Sequence, residues 1–302
     1  MGNKIIVIYA VLLCLPCTLL GDSTASEEEL LGYANSLVAQ RDYYRGISML
    51  KQIAYFSEDP KMKALCIFKI GEAYQKSRKY KSSVEYLDRY STNATADTLL
   101  YRAQMYLGAS YLQLGHYRKA VASFSLAESL KNDGSGLIWV VYSDVLQDKL
   151  AAASDRLQSI ISARKGDAIA RGSQEILREI DAYRGSRQSA RTASILSALC
   201  PGLGQFYARH YYDGAQAFIL VNSFAYMTYA SYRLGALGEQ SHIATVLSAA
   251  VAGMFYYANI LGAGRTAAYR NQRKLDSSLK RIRFLIHNKL GFAPGLGFSF
   301  SL

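Results

Sequence analysis

Pro201, Gly202, Gly204, Gln205 and Tyr207 are the residues whose types and spacing bear most directly on chemistry, because they interrupt a stretch without a charged side chain. Pro201 has no amide hydrogen and obstructs the carbonyl one turn earlier. Gly202 and Gly204 relax the backbone behind it. Carbonyls freed in this way need a donor wherever water is excluded, and Gln205 is the nearest side chain that carries one. The chemistry predicted here is hydrogen bonding across a broken helix. Catalytic patterns are missing. "PGLGQF" has glycines but neither a preceding strand nor the Gly-Lys-Ser/Thr ending of a phosphate loop. His116, His210, His242 and His287 are scattered, and neither H-E-x-x-H nor G-x-S-x-G occurs. No cysteine spacing suits zinc. The sequence predicts no enzyme, no cofactor and no metal.

Three uncharged runs position these residues: 192–208 (17 residues), 214–232 (19) and 243–264 (22). A helix needs about 20 apolar residues to cross the hydrocarbon core of a bilayer. The second and third runs meet that length. The first, with its Pro-Gly break, reads as a short span or as a re-entrant segment covered by the other two. No ionisable group lies inside the runs, which argues against an ion-coupled transporter. Phe206, Tyr207, Tyr211 and Tyr212 are placed as an interfacial belt, with Arg209 and His210 among headgroups.

The charge pattern agrees with a membrane address. Of a net charge of +12 over 302 residues, residues 26–165 carry 19 basic and 15 acidic groups, whereas residues 192–302 carry 10 basic and 3 acidic. The excess lies beside the apolar runs, so anionic lipid is the expected partner and nucleic acid is not. Residues 1–25 read as a signal peptide, with Lys4 as the charged start, residues 5–13 as the apolar core and Ser23 and Ala25 before a cleavage point. An uncleaved anchor would use the same residues. Cys14 and Cys17 follow Leu13 and Pro16 rather than the small residue that lipid attachment prefers. Cys66 and Cys200 read as buried small hydrophobes.

Residues 26–165 repeat with a period of 37. Ala34, Gly71 and Gly108 mark the register; nine residues on stand Tyr43, Tyr80 and Tyr117, twelve on Gly46, Ser83 and Ala120, and sixteen on Leu50, Leu87 and Phe124. A small residue lets two antiparallel helices approach, an aromatic opens the second helix, and the last two positions share one of its faces. Residues 137–164 look like a fourth, divergent pair, and residues 166–191 like a linking helix that ends near Gly185 and Ser186.

The third unit, "YLGASYLQLGHYRKAVASFSLAESL", resembles the tetratricopeptide (TPR) family through Gly108, Tyr111, Gly115, Tyr117, Ala120 and Phe124, and the second resembles it through Gly71, Tyr74 and Tyr80. The period exceeds the usual 34, so longer turns are expected at 57–61 and 91–97. The resemblance implies a concave surface for a protein partner, with Lys76, Arg78, Lys79, Arg102 and Arg118 as expected contacts. A second resemblance is to small bacterial membrane domains marked by S-x-L-x-P-G-x-G-Q-x-Y, a later glycine and a helical hairpin. Ser197, Leu199, Pro201, Gly202, Gly204, Gln205, Tyr207 and Gly214 carry it. It implies an architecture and no activity.

The expected fold is all-α: a TPR-like helical-hairpin solenoid over 26–165, a linking helix over 166–191, a membrane module of two or three spans over 192–264, and a basic amphipathic helix and tail over 265–302. Eight basic residues against Asp276 after the third run predict a cytoplasmic C-terminus. With an exported N-terminal half this calls for three crossings of a bacterial inner membrane, with the repeats in the periplasm. The expected function is a membrane-anchored scaffold for a protein partner in the cell envelope. The alternative is a subunit of an envelope transport, secretion or membrane-insertion complex whose working part is the 201–207 break.

Overall fold

Helix-starting chemistry explains where the elements begin. In a computed structural model, residues 26–93, 98–236, 238, 242–288 and 290 are described, and every regular element among them is an α-helix. The proposed signal peptide, residues 94–97 and the C-terminal residues 291–302 lie outside the described residues. Ser26 and Glu29 form a reciprocal cap, Ser26 Oγ accepting from the Glu29 amide at 3.2 Å and the Ser26 amide donating to Glu29 Oε2 at 3.0 Å. Asp59 accepts from the amides of Lys61 and Met62 and precedes Pro60, a residue suited to the first helical position.

Two compact units divide between Lys131 and Asn132. The first holds three consecutive helical hairpins: α1 (Glu27–Ala39) with α2 (Tyr43–Phe56), α3 (Pro60–Lys76) with α4 (Tyr80–Asn93), and α5 (Thr98–Gln113) with α6 (Tyr117–Lys131). Tyr43, Tyr80 and Tyr117 each open the second helix of a pair. Close approach at the small positions is direct. A Cβ on Gly71 would lie 2.6 Å from Leu87, and one on Gly108 2.6 Å from the Phe124 ring. Ser83, at a small position, donates its hydroxyl to the Gly71 carbonyl at 3.0 Å, so a polar residue serves in a buried seam. The long turn expected at 57–61 is absent, because α3 starts at Pro60; the added length goes into α3 itself, 17 residues long.

The second unit contains α7 (Ser135–Leu146), α8 (Leu150–Ala163), α9 (Ala168–Ser186), α10 (Ala190–Leu199), α11 (Leu203–Tyr207), α12 (Tyr211–Ala236) and α13 (His242–Asn288). Three expectations change here. The helix expected to link, α9, is a packed member: Ile176, Ile180 and Tyr183 are buried, and Glu179 accepts from Ser278 Oγ at 2.7 Å and pairs with Arg281 at 3.1 Å. The first uncharged run is not one span. Its α10 has 10 residues, about 15 Å of helix against a hydrocarbon core of about 30 Å. The third concerns the basic amphipathic helix, for which the sequence left open a continuation of the third span into a bundled helix; it is the distal half of the 47-residue α13. Its apolar face is taken by protein, since Leu279, Ile282 and Ile286 are buried and His287 meets the Trp139 ring edge-on at 6.1 Å.

These contacts give the expected three-crossing topology no support. Residues 139–183 and 278–287 pack side by side within one unit, so no bilayer separates them. Of the described helices, α13 is long and apolar enough to cross a membrane, and 6% of its most apolar stretch is buried. A soluble core helix of that character would be mostly buried.

Gly108→Leu forces a branched side chain against the Phe124 ring. The expected cost is on the order of 1–3 kcal/mol by overpacking, measured as a lower midpoint in thermal unfolding. An unchanged midpoint would disprove the interlock at this position.

Candidate functional site

The basic residues expected to meet a partner divide into two groups. Lys76 and Arg102 are committed within the fold. Both reach the Glu72 carboxylate, Lys76 Nζ at 3.0 Å and Arg102 at 3.3 Å, while the Tyr106 hydroxyl donates to it at 2.9 Å and Lys69 stands 3.8 Å away. Glu72 is only 5% exposed. Burial pushes its pKa up, but Lys76, Tyr106 and Lys69 outweigh that and hold it below the ordinary value. The Tyr106 hydroxyl is raised, first by burial and then by Glu72. Arg78, Lys79 and Arg118 remain exposed. Arg78 also forms the turn, at φ +62°. Among the register residues, Ala120 is fully buried. Tyr74 accepts from Lys51 Nζ at 3.1 Å, and Tyr111 lies under Lys119 at 5.4 Å.

The helix break in the second unit closes on itself. At Pro201 the chain leaves α10, and Gly202 takes φ +86° before α11 starts. Ser197 Oγ donates to Gln205 Oε1 at 2.8 Å and accepts from the Gly204 amide at 3.0 Å. Gln205 Nε2 donates to Asn259 Oδ1 at 3.0 Å and to the Asn259 carbonyl at 3.3 Å. Asn259 Oδ1 also accepts from the Gly202 amide at 3.1 Å, and its Nδ2 donates to the Ser197 carbonyl at 3.2 Å. Ser197, Gln205 and Asn259 are 0%, 5% and 7% exposed. Gln205 thus does find a neighbouring helix. Its partner Asn259, on α13, went unrecognised in the sequence, where an asparagine inside the third run was the available signal.

The glycines of the motif are sterically required. A Cβ on Gly202 would lie 2.2 Å from the Gly214 carbonyl oxygen, and one on Gly204 2.0 Å from the Ala193 carbonyl oxygen. Phe206, Tyr211 and Tyr212 are exposed, as a belt requires. Tyr207 is not part of it. Its carbonyl accepts from Gln188 Nε2 at 2.5 Å, and its hydroxyl accepts from the Ser189 amide at 3.3 Å, which ties it to the α9–α10 turn.

The same turn occurs five times among the described residues. Arg41, Arg78, Gly115, Asp148 and Arg209 all have positive φ, from 59° to 74°. Around each, the amide donates three residues back, and the next amide five residues back, as in Arg209 to Phe206 and His210 to Gln205. Gly202 stands seven residues before Arg209 as Gly71 does before Arg78, and Gly214 five residues after it as Ser83 does after Arg78. Tyr211 and Phe218 complete the register of Tyr80 and Leu87. The α11–α12 hairpin is therefore built on the repeat's own spacing, a signal legible in the sequence and not recognised there. No known family model matches the chain, and neither a curated protein nor a solved structure matches it.

Two outcomes follow from these geometries. The depressed Glu72 pKa contributes stability that is present above the unfolded value of 4.5 and lost as pH falls through the lower folded value. Unfolding midpoints of the parent protein should therefore drop on acidification below that pH. Glu72→Gln should be less stable by about 1–3 kcal/mol at neutral pH and lack this drop. Equal pH profiles would remove Glu72 from the account. At the break, Gln205→Leu and Asn259→Leu should lower thermal stability in detergent by about 1–2 kcal/mol. Gln216→Leu, at an exposed position of α12, should not. Equal midpoints for all three would reduce the break to a bend.

Proposed function

We propose that the protein is a membrane-anchored helical-repeat scaffold, related to TPR arrays, that holds a protein partner of the bacterial cell envelope. The observation that carries this reading is the uncovered apolar surface of the second unit. Phe218, Ile219, Tyr226, Met227 and Tyr229 on α12, and Ile243, Val246, Leu247 and Met254 on α13, are all exposed. A surface of that size calls for a bilayer or a partner. α12 and the uncharged half of α13 form two crossings packed on each other, with α10 re-entrant against α13. The basic stretch 265–288 then lies on the face that carries α7–α9, where anionic headgroups attract it. Residues 1–25, read as an export signal, put that face outside the cytoplasm. Arg78, Lys79 and Arg118 are the contacts available to a partner. The alternative, a transport or insertion subunit working through residues 201–207, is disfavoured because the polar side chains of the break, Ser197, Gln205 and Asn259, are all paired.

Sidedness reporters test the anchor. Reporters inserted at 94–97 and fused after Leu302 should report one side of the membrane, and a reporter inserted at Gly238 the other. Opposite readings at 94–97 and 302 would restore three crossings. A partner crosslinked to the full chain should be lost from Arg78→Ala/Lys79→Ala/Arg118→Ala; a crosslink that maps instead to Gln205 would favour the alternative.

A further inference from the structure

We propose that Arg209, Arg270 and Lys274 form a phosphate-binding site, occupied by the phosphate of an anionic lipid headgroup. This rests on the membrane reading above and gives its lipid contact a defined place. Packing sets the geometry. Ala208 is fully buried against Ala193, Ala263, Ala267 and Tyr207, which fastens the α11–α12 turn to α13. Arg209 follows Ala208 directly, at φ +60°. On α13, Arg270 comes one turn after Ala267, and Lys274 one turn after Arg270. The packing of Ala208 against Ala267 thus sets Arg209 on the turn beside the face of α13 that continues through Arg270 and Lys274. Burial, then Arg270, then Arg209 depress the Lys274 ammonium.

Like charges one helical turn apart destabilise a helix, and here a third is added across a tertiary contact. Among the described residues no carboxylate forms an ion pair with them. Asp213 is engaged by His210 at 3.3 Å, Asp148 by Arg187 at 3.0 Å, and Glu179 by Ser278 and Arg281. An anion shared by the three cations removes the repulsion. Two guanidinium forks beside one ammonium suit the several oxygens of a phosphate.

The depth fits a lipid. Arg270 lies six residues past Gly264, the last residue of the uncharged run, or about 9 Å along the helix. That puts its Cα just outside the headgroup layer, about 5–7.5 Å deep on each face of a hydrocarbon core about 30 Å thick, and within reach of it for an arginine side chain that turns back toward the bilayer. Lys274, a turn further out, reaches back along its aliphatic stem. The exposed Tyr211 and Tyr212 stand on the adjoining turn of α12 as interfacial aromatics.

The test uses the full chain in detergent micelles, titrated with phosphatidylglycerol or phosphatidylcholine and observed by native mass spectrometry. The parent protein should prefer phosphatidylglycerol. Arg209→Gln/Lys274→Gln should bind it about 25-fold more weakly, about fivefold for each charge removed. Arg233→Gln, at the far end of α12, should bind as the parent does. Lys274→Arg, which keeps the charge, should retain binding and shows that loss in the double variant is not misfolding. Lipid that resists excess inorganic phosphate marks a headgroup as the source; displacement by phosphate, with the same dependence on Arg209 and Lys274, marks a soluble one. Unchanged phosphatidylglycerol affinity in the double variant overturns the site. Carbonate washing separates the two claims. Release of the parent protein from membranes refutes the anchor, whereas phosphate binding that still depends on Arg209 and Lys274 leaves the site standing.

Discussion

The second unit depends on one constraint: backbone that leaves helical geometry in a water-poor setting must have its amides and carbonyls met from within the protein. Pro201 and Gly202 create that demand. Three side chains of modest size answer it, and none of them ionises. Asn259 serves α10 through the Ser197 carbonyl and the break through the Gly202 amide and Gln205. Everything nearby is small so that these groups can reach. Gly204 nearly touches the Ala193 carbonyl, and Ala263 and Ala267 lie where larger residues would push α13 away. The motif is thus one solution to a packing problem and a hydrogen-bonding problem posed together.

In the repeat unit the corresponding constraint is steric. A residue without a large side chain must face a large one sixteen positions on, and the turn between them must pass through positive φ. Arg41, Arg78 and Asp148 occupy that turn without glycine's freedom. That conformation costs a non-glycine residue about 1–2 kcal/mol, and the two backbone hydrogen bonds that close each turn offset it. The recurrence of this geometry at Arg209 ties both halves of the chain to one local rule. One spacing serves a hairpin with full-length helices and another whose first helix has five residues.

Local periodicity made most of the fold legible in the sequence. Tyr43, Tyr80 and Tyr117 mark helix starts because the register that places them is written within a single hairpin. What escaped was long-range pairing. Glu72 and Lys76 are four apart and could be paired on sight, but Arg102 and Tyr106 lie a whole repeat away, so their commitment to Glu72 looked like free charge. The Asn259 side chain sits 54 residues from Gln205, and nothing local distinguishes it from Asn222. The same limit applies to the basic stretch. Charge counting treats residues 265–288 as a free segment, whereas Leu279, Ile282 and Ile286 bind them to α9 and its neighbours.

The continuity of α13 has a mechanical meaning. A 47-residue helix is a rod of about 70 Å, seated near Ala263 and Ala267 like a lever on a fulcrum. About 30 Å of it extends past that seat to His287, beside Trp139. Bilayers of different thickness change the tilt of an embedded helix. A change of about 10° would sweep the far end through about 5 Å, comparable to one helical turn. In the membrane-anchored reading proposed above, bilayer thickness would be felt as displacement at the fourth helix pair, with no ligand carrying the message.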